Sequence, residues 1–186
     1  MKIRYRGVHM FEINDYIIYG SDSVCKVIAN DIDNINTKFK DKKYYKLQPL
    51  FENKSTIYTP VDNNSVAMRK IISKEEAASI ISNISNLDKY SYDDKVREET
   101  YKKIMHNHDC RELISMLKTV YYIKKQRLSE NKNVIAVDKR NTKIIEEWLG
   151  EEFSVAMGIT REEAKEIIDR EIIQSYNNES KLKKVF

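Results

Sequence analysis

Three short stretches of this chain hold residue types that could do chemistry. His106-Asn107-His108-Asp109-Cys110 places three potential metal ligands within five residues. They fall in a turn between two predicted helices, and no second cluster elsewhere completes the four ligands of a structural zinc site, so no metal is expected. Lys139-Arg140 stands near the start of a predicted helix. Two cations there oppose the helix macrodipole, which points to an external anion such as a phosphate; the plainer alternative is a solvated charged face. Tyr90 and Tyr92 lie in the polar stretch Asn86–Asp94. An aromatic ring so placed could insert at a base step of nucleic acid, or could lie on the core of the helices. Arg97 and Lys102 are secondary candidates for an anion contact. Lys124, Lys125 and Arg127 are already explained as partners for the C-terminal end of a helix dipole. Cys25 reads as a small buried hydrophobe. The chain has no Gly-rich phosphate loop, no nucleophile motif and no paired carboxylates, so neither an enzyme nor a cofactor nor a small-molecule substrate is expected.

The elements that must position these residues follow from composition and period. The 186 residues are 41% hydrophobic and 33% charged, enough apolar material for a core, with only four Gly and two Pro. So few turn residues favour helix over much of the length. Two cysteines cannot form a disulfide framework, and no apolar run approaches a membrane span or a signal peptide, so a reducing cytoplasmic setting is expected. The net charge of +4 is mild but unevenly placed. Residues 95–143 carry thirteen Lys/Arg against six Asp/Glu, and residues 144–179 carry three against ten. One segment could meet phosphate and its neighbour would be repelled by it.

In the first third, Tyr16–Tyr19, Val24–Ile28, Tyr44–Leu47 and Thr56–Thr59 are β-branched or aromatic runs separated by polar turns, among them Asn30–Asn36. Pro60 ends the last run and marks it as an edge strand. Four or five short strands predict a small SH3-like or Tudor-like barrel. After Arg69 the period becomes helical. Ser73-Lys74-Glu75-Glu76 is a capping box that opens a first helix with Ala77, Ile80, Ile81, Ile84 and Leu87 at three-and-four spacing. A second helix starts after Asp93-Asp94, and a third at Asp109–Glu112. The fourth runs from about Asp138 to Gly158 with Trp148 in its apolar stripe, and the fifth opens at the Thr160–Glu163 box. The tail from Asn177 is polar, basic and expected to fray.

Several segments, in order, resemble the CarD-like (CdnL) bacterial transcription regulators. Phe11-Glu12-Ile13-Asn14-Asp15-Tyr16-Ile17-Ile18-Tyr19-Gly20 is similar to that family's opening strand, with Asn14-Asp15 where Gly-Asp is usual. Val24-Cys25-Lys26-Val27, Tyr44-Tyr45-Lys46-Leu47, Thr59-Pro60-Val61-Asp62-Asn63 and Met68-Arg69-Lys70-Ile71-Ile72-Ser73 follow, and Glu151–Ile159 resembles a stretch near the family's end. The resemblance implies an RNA polymerase-interacting β domain, of the kind shared with transcription-repair coupling factor, that docks on the polymerase β subunit. It also implies a helical domain that meets promoter DNA near the −10 element and stabilises the open complex. By this resemblance Lys46, Ile57, Tyr58 and Thr59 would bind polymerase, and Lys139 and Arg140 the DNA backbone. The family's wedge Trp is replaced by Lys89-Tyr90-Ser91-Tyr92, which makes Tyr90 the expected wedge, and its Gly-rich turn by Ser21-Asp22-Ser23.

The expectation is therefore an α+β chain: an extension at 1–9 preceding a natural start at Met10, a β domain at 10–70, a five-helix domain at 71–176, and a basic tail at 177–186. It would be a non-enzymatic, cytoplasmic and nucleoid-associated regulator that uses no membrane. The alternative is a barrel serving as a protein-interaction module, with helices for oligomerisation and no DNA contact. A basic surface on helices two to four would favour the first, and an exposed apolar patch there the second.

Overall fold

Alternation of large apolar and polar side chains is what a half-buried strand requires, and the N-terminal third supplies it. The computed structural model describes residues 11–20, 24–33, 42–51, 55–63, 65–90 and 96–182. The extension expected at 1–9, the Ser21-Asp22-Ser23 turn and Tyr92 lie outside the described residues. The chain divides into two compact units, residues 1–71 and 72–186.

The first unit is a five-stranded antiparallel sheet: β1 (Tyr16–Tyr19), β2 (Val24–Asp33), β3 (Lys43–Pro49), β4 (Ile57–Pro60) and β5 (Met68–Lys70). The strand order is β4-β3-β2-β1-β5. Its core is Phe11, Ile17, Cys25, Val27, Tyr45 and Leu47, all buried on one face. Tyr45 fills the centre, and its hydroxyl accepts a hydrogen bond from the Phe11 amide at 3.2 Å. Gly20 ends β1 at φ 57°, and a Cβ there would stand 2.9 Å from Val66 Cγ1, so both backbone and space call for glycine.

Two expectations change here. The barrel is an open sheet among the described residues, because β4 and β5 form its two edges and no pairing joins them. The Asn30–Asn36 turn gives way to a longer β2, which continues to Asp33 through register shifts at Val27/Ala29 and Ala29/Ile32. Asp31 adopts φ 66° there and its carboxylate meets Lys43 Nζ at 3.0 Å, so the polar residues that suggested a turn sit in an irregular stretch of strand. The strand number falls within the four or five expected, the fifth being β5, a three-residue strand paired with β1.

The second unit holds α1 (Lys74–Ser82), a 3₁₀ turn (Ile84–Asn86), α2 (Arg97–Asn107), α3 (Cys110–Ser129), α4 (Ala136–Met157) and α5 (Arg161–Leu182). The Ser73–Glu76 capping box forms in both directions. Asp109 caps α3 by accepting the amides of Arg111 and Glu112. Thr160 and Glu163 cap α5 reciprocally, and Gly158 closes α4 at φ 69°. The apolar stripes converge on one core, with Tyr101, Met116, Ile145, Leu149, Phe153 and Ile168 among its buried members. The segment from Asn177 is helical through Leu182 rather than frayed. Glu179 explains the difference, since it accepts Tyr122 Oη and Lys89 Nζ, each at 2.7 Å. No helix among the described residues is long and apolar enough to cross a membrane.

Candidate functional site

The β4 edge is set by hydrogen-bond alternation. Val61 N–H donates to Lys43 O at 2.9 Å. With the register Tyr45↔Thr59, Lys46↔Tyr58 and Leu47↔Ile57, the alternation of an antiparallel ladder turns the main-chain groups of Thr59 and Ile57 towards β3. The same alternation turns the N–H and C=O of Tyr58 away from it. Pro60 occupies the other outward position, where its missing N–H costs the ladder nothing. Among the described residues no strand pairs on that side. Tyr58 thus stands on an open edge with its ring 45% exposed.

The four residues expected on this surface separate by face. Thr59 is 1% exposed and accepts Asn63 Nδ2 at 2.8 Å, so its side chain belongs to the interior. Ile57 is half-buried against the core. Lys46 lies directly across from Tyr58 on the outer face. Three further residues share that face and were missed: Lys26, beside Gln48; Tyr16, opposite Lys26; and Ile28, at the bulge between the Val27–Leu47 and Ala29–Lys46 pairs. Ile28 is 41% exposed, Tyr16 is also exposed, and Lys26 Nζ lies 5.9 Å from the Tyr16 ring centroid. The signal was present in Cys25-Lys26-Val27-Ile28, where Lys26 and Ile28 alternate with buried core residues. Aromatic rings interleaved with lysines suit a protein partner, because Tyr gives large contact area at low entropy cost.

On the helical unit the exposed cations are spread over all five helices. Lys102 and Lys103 of α2, and Lys139, Arg140 and Lys143 of α4, are all exposed. Arg140 Nη2 lies 3.8 Å from Glu98 Oε1, and Glu98 sits one turn before Lys102. Arg97 departs from this group. It is 6% exposed, with Nη1 3.5 Å from Asp138 Oδ2, and the Tyr101 hydroxyl donates to Asp138 Oδ1 at 3.1 Å. A guanidinium held this way joins α2 to α4 and does not reach a phosphate. The dipole argument for Lys139-Arg140 changes too. The helix begins at Ala136, so Asp138 occupies its first turn and supplies the negative charge that the N-terminus favours. Their case then rests on exposure and on the neighbouring lysines.

Tyr90 is half-buried and packs against the helical core. Its amide donates to Thr119 Oγ1 at 2.9 Å. Burial raises the phenol pKa, and the charges of Glu112 and Asp109 raise it further. Those carboxylates would hold a phosphate away from the hydroxyl while leaving the ring's exposed part available to a base. Trp148 is also half-buried, packed on the core and stacked on His108 with centroids 4.2 Å apart. That stack draws His108 inward while His106 stays exposed. Asp109 is used as a helix cap, and Cys110 Sγ lies 3.2 Å from Glu152 Oε2. Among the described residues no three His, Cys, Asp or Glu side chains come together as a metal site.

Comparison with known families matches residues 11–72 to the CarD-like/TRCF RID domain. No curated protein matches the chain. The matched span holds all five strands and the open β4 edge. A domain of this kind suggests interaction with RNA polymerase, and with it a regulatory, non-enzymatic part in transcription. The N-terminal sheet of this chain is thus similar to the CarD-like/TRCF RID domain.

Proposed function

We propose that this chain is a cytoplasmic, nucleoid-associated regulator of transcription initiation that docks on the β subunit of RNA polymerase and stabilises the promoter open complex. The observation that carries the reading is the RID domain match over residues 11–72, together with a β4 edge open to strand addition. An added strand would pair with the Tyr58 main chain, while Tyr58, Lys46, Lys26 and Ile28 select the partner by side chain. Ile57 and Thr59 support this surface from the interior side.

The DNA-facing part of the proposal rests on Lys102, Lys139 and Arg140, with Lys103 and Lys143 beside them and Tyr90 meeting a base near the −10 element. Exposed large apolar residues on the helical unit are scattered, at Val96 before α2, Leu128 on α3, Ile144 on α4 and Ile173 on α5, and the exposed cations stand on all five helices. The lack of a contiguous exposed apolar patch among the described residues argues against oligomerisation through this unit. One observation favours the interaction-module reading instead: Tyr90 lies on the helical core, where a ring with a purely structural role would also lie.

Substituting Lys139 and Arg140 together by Glu separates the two. With about two to four phosphate contacts, DNA binding by the full chain should fall with salt at a log–log slope of roughly −2 to −4. The double variant should flatten that slope by about two and shorten the open-complex lifetime, with polymerase capture unchanged. An unaltered slope and lifetime would leave the interaction-module reading in place.

A further inference from the structure

Lysine is almost never fully buried without a partner, yet Lys118 sits at the middle of α3 at 1% exposure, between Leu117 and Thr119. Its ammonium uses every donor it has. Nζ lies 3.2 Å from Ile84 O, 2.7 Å from Ser85 O and 2.9 Å from Leu87 O. These are carbonyls of the 3₁₀ turn after α1 and of the residue that follows it, and the Ile84 carbonyl also accepts the Leu87 amide at 3.3 Å. Burial pushes the Lys118 pKa down and the Glu179 carboxylate, 3.8 Å away, pulls it back up. Three carbonyl acceptors call for three N–H donors, which only the charged form has.

The segment held this way leads directly to Tyr90, and its far end is fastened to the same two helices. Lys89 Nζ donates to Glu179 Oε2 at 2.7 Å and stands 4.2 Å from the Tyr122 ring centroid. Tyr90 N–H is held by Thr119, the neighbour of Lys118, and Thr119 Oγ1 itself donates to Ser115 O at 2.7 Å. Residues 84–90 are therefore tied down by one cation, one carboxylate and one hydroxyl.

We infer that Lys118 is a positioning residue for Tyr90: by holding the carbonyls of residues 84, 85 and 87 it fixes the turn that sets where the Tyr90 ring stands. Its consequence for DNA rests on the reading that Tyr90 meets a base. A ring that inserts at a base step gains from being held in place beforehand, because the ordering cost is met in folding and not on binding.

The test uses the full chain with Lys118→Met, which keeps length and removes the donors. Amide exchange at Tyr90 should rise about tenfold or more while exchange at Leu149 and Phe153 changes less than about twofold. The open-complex lifetime should shorten, as it should also in Tyr90→Ala, and Lys118→Met/Tyr90→Ala should be no shorter than Tyr90→Ala alone. Equal acceleration of exchange at all three sites, or additive loss in the double variant, would overturn the inference by giving Lys118 a general structural role. Should Lys118→Met fail to fold, the unaltered chain decides. Amides of residues 85–90 protected as strongly as those of α3 support the inference, and exchange at the rate of an open loop overturns it. If Tyr90→Ala leaves the lifetime unchanged, the DNA role of Tyr90 falls. The exchange measurement, which needs no DNA, then still decides whether Lys118 holds the turn.

Discussion

Tyr58→Asp should weaken capture of RNA polymerase by about 2 kcal/mol, roughly thirtyfold in Kd, because exposed interface tyrosines rank among the side chains whose loss costs most. The residue combines two features that no other position on the sheet shares: a ring on the outer face and main-chain groups on the open edge. A carboxylate there removes the apolar contact and sets a charge where an added strand must come close. Thermal stability of the chain should change little, since the side chain it replaces is 45% exposed. Titration of polymerase with the variant, alongside a melting curve, checks both halves. Thr59→Asp serves as the opposite control. Its side chain is buried beneath the edge, so that change should unfold the sheet rather than act on binding alone.

The largest stability effect should come from Asp138. Its carboxylate faces Arg97 and the Tyr101 hydroxyl in a space where all three residues are buried. Asp138→Ala removes the buried carboxylate that both Arg97 and the Tyr101 hydroxyl face, and breaking a buried pair from one side costs about 3–5 kcal/mol. Urea unfolding followed by the helical circular dichroism signal should show this as a lower midpoint. A loss below about 1 kcal/mol would mean that the pair contributes no more than an exposed one. The same result bears on Arg97, since a residue that fastens α2 to α4 belongs to the scaffold of the basic surface and not to its contacts.

What could be read from the sequence and what could not divide along a physical line. Features with a local cause were legible. The three-and-four spacing from Ala77, the capping residues Ser73, Asp109 and Thr160, and the Gly158 stop all act within one turn of themselves. Pro60 announced the edge of β4 for the same kind of reason, as it lacks one donor. Features caused by distant partners were not legible. Arg97 resembled a surface cation because Asp138, which draws it inward, lies 41 positions away. Lys118 passed as an ordinary member of a basic segment, and its acceptors are main-chain carbonyls 31–34 residues earlier, which no pattern of side chains reveals. The outer face of the sheet lay between these cases. Lys46 and Tyr58 could be named, but their pairing, and the addition of Lys26, Tyr16 and Ile28 beside them, required the register.

The most direct measurement of the central claim places a photo-crosslinking phenylalanine analogue at Tyr58 in the full chain, and in a second sample at the exposed Ile173 of α5. Each is irradiated with RNA polymerase core enzyme. The proposed docking predicts a crosslink to the β subunit from position 58 and none from position 173. A β-subunit crosslink from position 173 with none from 58 would contradict it.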